Sequence, residues 1–181
     1  MTPGRDVPDY GTIDLGDVVL SEPLVVANRT GVTVRAGNVY WQGPPDRPAV
    51  ELVSSTQCRV EFQALRNVGT PRTGIGIGIT PVDGSPISAV KNQIRVGVIQ
   101  SFGVGIQIGN GTAKACDETS IADGTIAGCR DAIAINGGNA QLQYLDRMRL
   151  VHNDRSCVDN VIGGVHLTNC TLGYTPHGVL V

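Results

Sequence analysis

The chain has few bulky aromatic side chains and few charges. Its 181 residues include 2 Phe, 1 Trp and 4 Tyr, and charged residues make up only 17%. Because aromatic rings usually fill much of the core of a β-sandwich or barrel, their scarcity disfavours those folds. A narrow solenoid core, by contrast, can be filled by stacked aliphatic side chains. The 24 Gly residues suit the many turns of such a fold.

Basic clusters and long apolar runs are also lacking. The formal net charge is −2 and lysine is scarce. Because proteins bind phosphate backbones through basic stripes, this composition predicts no nucleic-acid partner. No apolar run reaches the roughly 18 residues of a membrane span, and the first residues lack the apolar segment of a signal peptide. We therefore expect a soluble protein without membrane insertion, made in a cytoplasm.

The cysteines show no metal-binding spacing. None of the five forms a Cys-x-x-Cys pair or lies at zinc-binding spacing from a histidine, so we expect no metal and no cofactor. The five are Cys58, Cys116, Cys129, Cys157 and Cys170. Our main interpretation is that all are reduced and buried. A disulfide between Cys129 and Cys157, on adjacent coils, is the alternative.

The chain does contain an internal repeat. Residues 99–111 are echoed by residues 126–138, and looser echoes follow with a period of roughly 21 to 27 residues. Each unit holds two short runs of alternating apolar residues around a turn, which is the pattern of β-strands. One unit therefore predicts one turn of a β-solenoid, and about six turns fit into residues 13–181. Residues 1–12 are polar with Pro and Gly, and they predict an N-terminal arm.

The repeats align apolar residues into columns that face the core, because residues two apart on a strand share one face. The first predicted column contains Ile77, Ile106, Ile133 and Val179. The second contains Ile79, Ile108, Ile135 and Val181. In the third unit, Val151 and Val158 take the places of Ile126 and Ile133.

Residues 13–37 resemble the opening coil of the pectin lyase-like group of proteins. The run Gly31-Val32-Thr33-Val34 matches the entry of that coil, with Val32 and Val34 as the inward pair. The resemblance implies an all-β fold, a single-stranded right-handed parallel β-helix. Within this fold the chain resembles the β-helical parts of bacteriophage tail spikes, fibres and minor tail proteins.

That second resemblance implies a structural or host-recognition role in a virion. It also implies a homotrimer, because three β-helices lie side by side in such fibres. We expect trimer contacts at Val151, Tyr40 and Trp41, contact with other virion proteins through the arm, and a surface polysaccharide as ligand. The alternative is a carbohydrate-active enzyme of the same fold, a polysaccharide lyase or a glycoside hydrolase.

One weak catalytic candidate is Asp131. The run from Asp131 to Gly138 resembles a passage of polygalacturonases in which two adjacent aspartates act as acid and base. Arg130 stands where the first of those aspartates would be. Inverting hydrolysis needs two carboxyl groups about 6.5 to 9.5 Å apart, so Asp131 alone does not supply the chemistry. We therefore expect no hydrolase or lyase activity.

The densest polar segment is residues 146–155. In one interpretation, His152 and Asp154 form an acid and base pair while Arg147, Arg149 or Arg155 binds an anionic sugar. In the other, Arg147, Arg149 and Val151 lie on a solvated strand face above Met148 and its apolar neighbours. The run from His152 to Asp154 is then an ordinary turn.

Tyr40 and Trp41 precede a long loop rich in Gly and Pro. As exposed aromatics they are candidates for stacking on a sugar ring or anchoring an interface. The alternative is that Trp41 covers the first coils of the solenoid.

Overall fold

The computed structural model describes residues 7–111, 114–137 and 139–180, and these contain sixteen strands and no helix. In chain order the strands are β1 Thr12–Asp14, β2 Val18–Leu20, β3 Leu24–Ala27, β4 Thr33–Trp41, β5 Pro48–Val53, β6 Arg59–Asn67, β7 Thr73–Thr80, β8 Gln93–Gln100, β9 Phe102–Ile108, β10 Ser120–Ala127, β11 Asp131–Asn136, β12 Gln143–Val151, β13 Ser156–Ile162, β14 Val165–Thr168, β15 Thr171–Gly173 and β16 His177–Leu180.

The strands form two parallel sheets. The first has the order β1-β4-β6-β8-β10-β12-β14, with β2 beside β4 and β15 beside β12. The second has the order β3-β5-β7-β9-β11-β13-β16. The chain alternates between the sheets, so each circuit adds one strand to both, and the result is a parallel β-solenoid of about six turns. The predicted fold class is confirmed. The first strand begins at Thr12, and residues 1–6 of the predicted arm lie outside the described residues.

Aliphatic columns fill the space between the sheets. Strand register places one column in line as Leu24, Val50, Ile77, Ile106, Ile133, Val158 and Val179. A second column runs through Val26, Leu52, Ile79, Ile108, Ile135 and Asn160. The predicted order of both columns is confirmed where it is described. Asn160 follows Ile135 in the second column, and Val181 lies outside the described residues.

The predicted place of Val151 is wrong by one residue. Ile126 pairs with Leu150, not with Val151, whereas Ile133 pairs with Val158 as expected. The turn between β12 and β13 is therefore longer than the turn between β10 and β11. Because this turn is one residue longer, Leu150 and not Val151 takes the place that corresponds to Ile126.

Two glycines allow neighbouring coils to approach closely. A Cβ atom on Gly76 would lie 2.5 Å from the carbonyl oxygen of Gly105, and one on Gly105 would lie 2.6 Å from that of Ala132. Both distances are too short for a side chain. Glycine at position 76 of β7 therefore reflects close contact between coils.

Buried amide side chains satisfy the backbone at the turns. The side chain of Asn92 accepts a hydrogen bond from the Cys58 N–H at 3.0 Å and donates one to the Ser55 carbonyl at 2.9 Å. Asn153 accepts one from the Cys129 N–H at 3.1 Å, two coils later. Because an unpaired buried N–H or C=O is costly, these side chains stabilise turns that have no strand partner.

All five cysteines are free thiols, so the alternative disulfide between Cys129 and Cys157 is not formed. Four of them are buried, whereas Cys170 is only half-buried, so the predicted burial is wrong for that residue. Burial raises the pKa of Cys58 and Cys116 to about 11 and that of Cys129 to about 12. These thiols remain protonated at neutral pH.

The described residues contain no helix with the length and apolar character that crossing a membrane requires.

Candidate functional site

Asp131 lies at the first position of β11, with its side chain 0% exposed. Its Oδ1 accepts hydrogen bonds from Arg155 Nε and Ser156 Oγ, both at 2.7 Å. Its Oδ2 accepts from Arg155 Nη2 at 2.8 Å and from Arg130 Nε at 3.0 Å. Ser156 reaches this carboxylate because it is the register partner of Asp131 on the next coil.

These contacts determine the charge of Asp131. Burial raises the pKa of its carboxyl, but hydrogen bonds from Arg155, Ser156 and Arg130 together outweigh burial and bring the pKa below its ordinary value. The group is therefore ionised at neutral pH and carries no proton to donate. Both oxygens already accept two hydrogen bonds each, which leaves no free lone pair for a base. Asp131 joins two coils and is poorly suited to proton transfer.

The sequence candidates His152 and Asp154 have separate partners. The His152 ring stacks on Tyr174, with centroids 4.7 Å apart and an interplanar angle of 10°. The Asp154 carboxylate lies 2.7 Å from Arg72 Nη1. The described contacts therefore give no acid and base pair at this turn.

Arg147 and Arg149 lie exposed on the outer face of β12, above the buried Met148 and Leu150. Arg147 Nε donates to Asp123 at 2.6 Å, and the same guanidinium pairs with Asp146. This placement matches the solvated-face interpretation. Val151 is only 5% exposed, so it does not share that face and cannot form the expected trimer contact.

The two loop aromatics differ in exposure. Trp41 ends β4 and is 0% exposed, and its ring occupies the space beside Gly43, where a Cβ would lie 2.2 Å from the ring. Trp41 therefore packs into the first coils and is not an exposed stacking surface, which corrects its place among the binding and trimer candidates. Tyr40 is half-buried and lies between Val19 and Arg66 in strand register.

A surface groove of about 540 Å³ lies where the chain passes from the second sheet to the first. We call it the tyrosine groove. Around Gly31 it is lined by Tyr10, Thr33, Gln57, Arg59, Lys91 and Gln93. Thr33, Arg59 and Gln93 are register partners on three successive coils, so their side chains rise in steps of about 4.8 Å.

The Tyr10 ring packs against the backbone of Gly31. The φ of Gly31 is +69°, and a Cβ there would lie 2.3 Å from the ring, so only glycine allows this contact. The Tyr10 N–H donates to the Thr30 carbonyl at 2.8 Å, and the Thr30 N–H donates to Asp9 at 2.8 Å. The ring is thus held against the backbone while Tyr10 remains 74% exposed.

The tyrosine groove was not predicted from the sequence. Tyr10 belongs to the irregular arm, where no strand period indicates which coil a side chain contacts. Arg59 and Gln93 could have been found as outward positions of their strands, because they alternate with buried neighbours. That Arg59 and Gln93 line the same groove as Tyr10 depends on the path of the arm, which the strand pattern does not predict.

A second depression of about 400 Å³, the arginine cleft, lies where the chain passes from the first sheet to the second. Arg72, Arg130, Gln107 and Asp46 are among its lining residues. Both arginines already pair with carboxylates, Arg72 with Asp154 at 2.7 Å and Arg130 with Asp131 at 3.0 Å. Some of the guanidinium N–H groups that could bind a ligand in this cleft are thus already paired with carboxylates of the protein.

Comparison with known protein families found no matching family model, and comparison with curated proteins found no match.

Proposed function

We propose that this chain is a non-catalytic β-solenoid part of a bacteriophage virion, from a tail spike, fibre or minor tail protein, that binds a surface polysaccharide in the tyrosine groove. The solenoid of about six parallel turns supports this at the level of fold. The assignment to a virion rests on analogy with the β-helical parts of such proteins, which the chain resembles at the level of fold. Fold alone does not specify a function, so the binding role rests on the groove.

The observation that carries the binding role is the exposed Tyr10 ring beside polar side chains. A sugar ring has apolar C–H faces that pack on an aromatic ring, and hydroxyl groups that need hydrogen-bond partners. Gln57 and Gln93 offer both amide donors and acceptors, and Arg59 offers guanidinium donors. At about 540 Å³ the groove has the size of a typical ligand site.

The contacts of the carboxylates favour binding over the enzymatic alternative. A glycoside hydrolase needs one carboxyl group that donates a proton and one that activates water. Asp131 is ionised and fully hydrogen-bonded, and Asp154 pairs with Arg72. Neither side chain lies in the tyrosine groove, so binding there involves no candidate acid or base.

We also propose that the chain assembles as a homotrimer. Several large apolar side chains near the last coils are exposed, which favours an association that covers them. Among them are Val161, Ile162 and Leu167 on β13 and β14. Light scattering of the purified chain tests this proposal, since a trimer has three times the mass of the chain and a stable monomer at micromolar concentration would contradict it.

Binding is tested with a panel of purified bacterial surface polysaccharides and the Tyr10→Ala variant. Loss of a stacking aromatic removes about 1 to 2 kcal/mol, so affinity should fall roughly 5- to 30-fold. Tyr174→Ala is the matched control, because Tyr174 is also exposed but stacks on His152 outside the groove. Equal affinity of wild type and Tyr10→Ala for every bound polysaccharide, or no binding at all, would contradict the proposal.

A further inference from the structure

The charged side chains in the lining of the tyrosine groove are Arg59 and Lys91, and both are cationic. We infer that the groove recognises an acidic polysaccharide and that Arg59 binds a sugar carboxylate. This inference rests on the proposed binding role of the groove and names the chemical class of its ligand. The chain as a whole has a net charge of −2, so a cationic lining does not simply follow from composition.

Arg59 differs in its contacts from several other exposed arginines of the chain. Arg35, Arg72, Arg130 and Arg147 each pair with a carboxylate at 2.6 to 3.0 Å. Within the described part of the chain, by contrast, no hydrogen bond or ion pair involves the Arg59 guanidinium. Arg59 is exposed and lies in a concave site, so its five N–H donors are available to a ligand.

Carboxylates also lie near the groove without belonging to its lining. Glu118 is 3.9 Å from Lys91, and the two side chains are 46% and 54% exposed. An exposed pair of this length contributes little, so Lys91 can exchange it for a ligand at small cost. Asp9 already accepts a hydrogen bond from the Thr30 N–H at 2.8 Å. Of the two cations in the lining, only Arg59 has no ion pair within the described residues.

The chemistry of the lining favours a carboxylate on a sugar ring. A guanidinium presents parallel N–H groups that match the two oxygens of a carboxylate. The ring that carries the carboxylate can then pack on Tyr10, and its hydroxyls can bond to Gln57 and Gln93. Lys91, one coil above Arg59, is placed for a second acidic group along the same glycan.

The experiment uses fluorescently labelled hexagalacturonate as the acidic probe, maltohexaose as the neutral probe and dextran sulfate as the sulfated probe. Wild type should bind hexagalacturonate at least tenfold more tightly than maltohexaose, and added salt should weaken that binding. Arg59→Gln should reduce affinity for hexagalacturonate about tenfold and leave the neutral probe unchanged. Arg95→Gln is the matched control, because Arg95 is exposed on β8 but lies outside the lining.

The outcomes separate this inference from the proposed function. Equal binding of both hexasaccharides, abolished by Tyr10→Ala, would overturn the acidic ligand and keep the glycan groove. Binding of hexagalacturonate that falls equally in Arg59→Gln and Arg95→Gln would indicate diffuse charge attraction and would also overturn the inference. Tighter binding of dextran sulfate than of hexagalacturonate would overturn the choice of a carboxylate. Unchanged melting temperatures of both variants exclude misfolding as the cause.

Discussion

Replacing Ile133 by Ala should strongly destabilise the solenoid. Ile133 is 0% exposed and stacks between Ile106 and Val158 in the first core column. The substitution removes the equivalent of three methylene groups, at about 0.8 kcal/mol each, which gives about 2.4 kcal/mol. The cavity left behind adds to this loss, so the free energy of unfolding should fall by about 3 to 4 kcal/mol.

The cavity cannot close easily, because the strands above and below Ile133 are hydrogen-bonded in fixed register. Val179→Ala is the matched control, since Val179 stands in the same column but is 41% exposed. Its side chain lacks a neighbour on one side in the described structure. We expect this second change to cost less than about 1 kcal/mol.

Urea unfolding measures both variants. Trp41 is the only tryptophan and is buried among the first coils, so its fluorescence reports on that end, while far-UV circular dichroism reports on all strands. Coincident transitions by both probes justify a two-state free energy. If Ile133→Ala and Val179→Ala differed by less than about 0.5 kcal/mol, the column would not be a packed core and the assigned register would be refuted.

Two further predictions concern titratable groups. The pKa of Asp131 is lower in the folded chain than in the unfolded chain, so its contribution to stability is fully present above about pH 4 and is lost as pH falls through the folded value. The urea midpoint of wild type should therefore fall more steeply than that of Asp131→Asn between about pH 5 and pH 3, and parallel pH profiles would contradict the ion pair. Burial raises the pKa of the Cys129 thiol to about 12, so iodoacetamide should label the half-buried Cys170 first and Cys129 only after unfolding. Peptide mass mapping of the labelled native chain checks this order, and early modification of Cys129 would refute its burial.

The repeat and the strand periodicity are enough to predict the solenoid and the aliphatic columns of its core. The alternation of apolar residues is a local property of a strand, and its recurrence aligns residues such as Ile106 and Ile133, which are register partners in the structure. The same local period correctly placed Arg149 outside and Leu150 inside on β12. The period is informative here because each coil repeats the same sheet and turn order.

Features that depend on turn lengths and on contacts between distant residues could not be predicted and are seen only in the folded chain. The longer turn after β12 moved Leu150 into the place predicted for Val151. The burial of Trp41 and the four hydrogen bonds to Asp131 depend on which coil lies next to which. The Tyr10 ring, which belongs to the irregular arm, packs against Gly31, which lies in a left-handed turn. Strand periodicity does not encode the path of an arm or the length of a turn, so the tyrosine groove emerges only when the chain is folded.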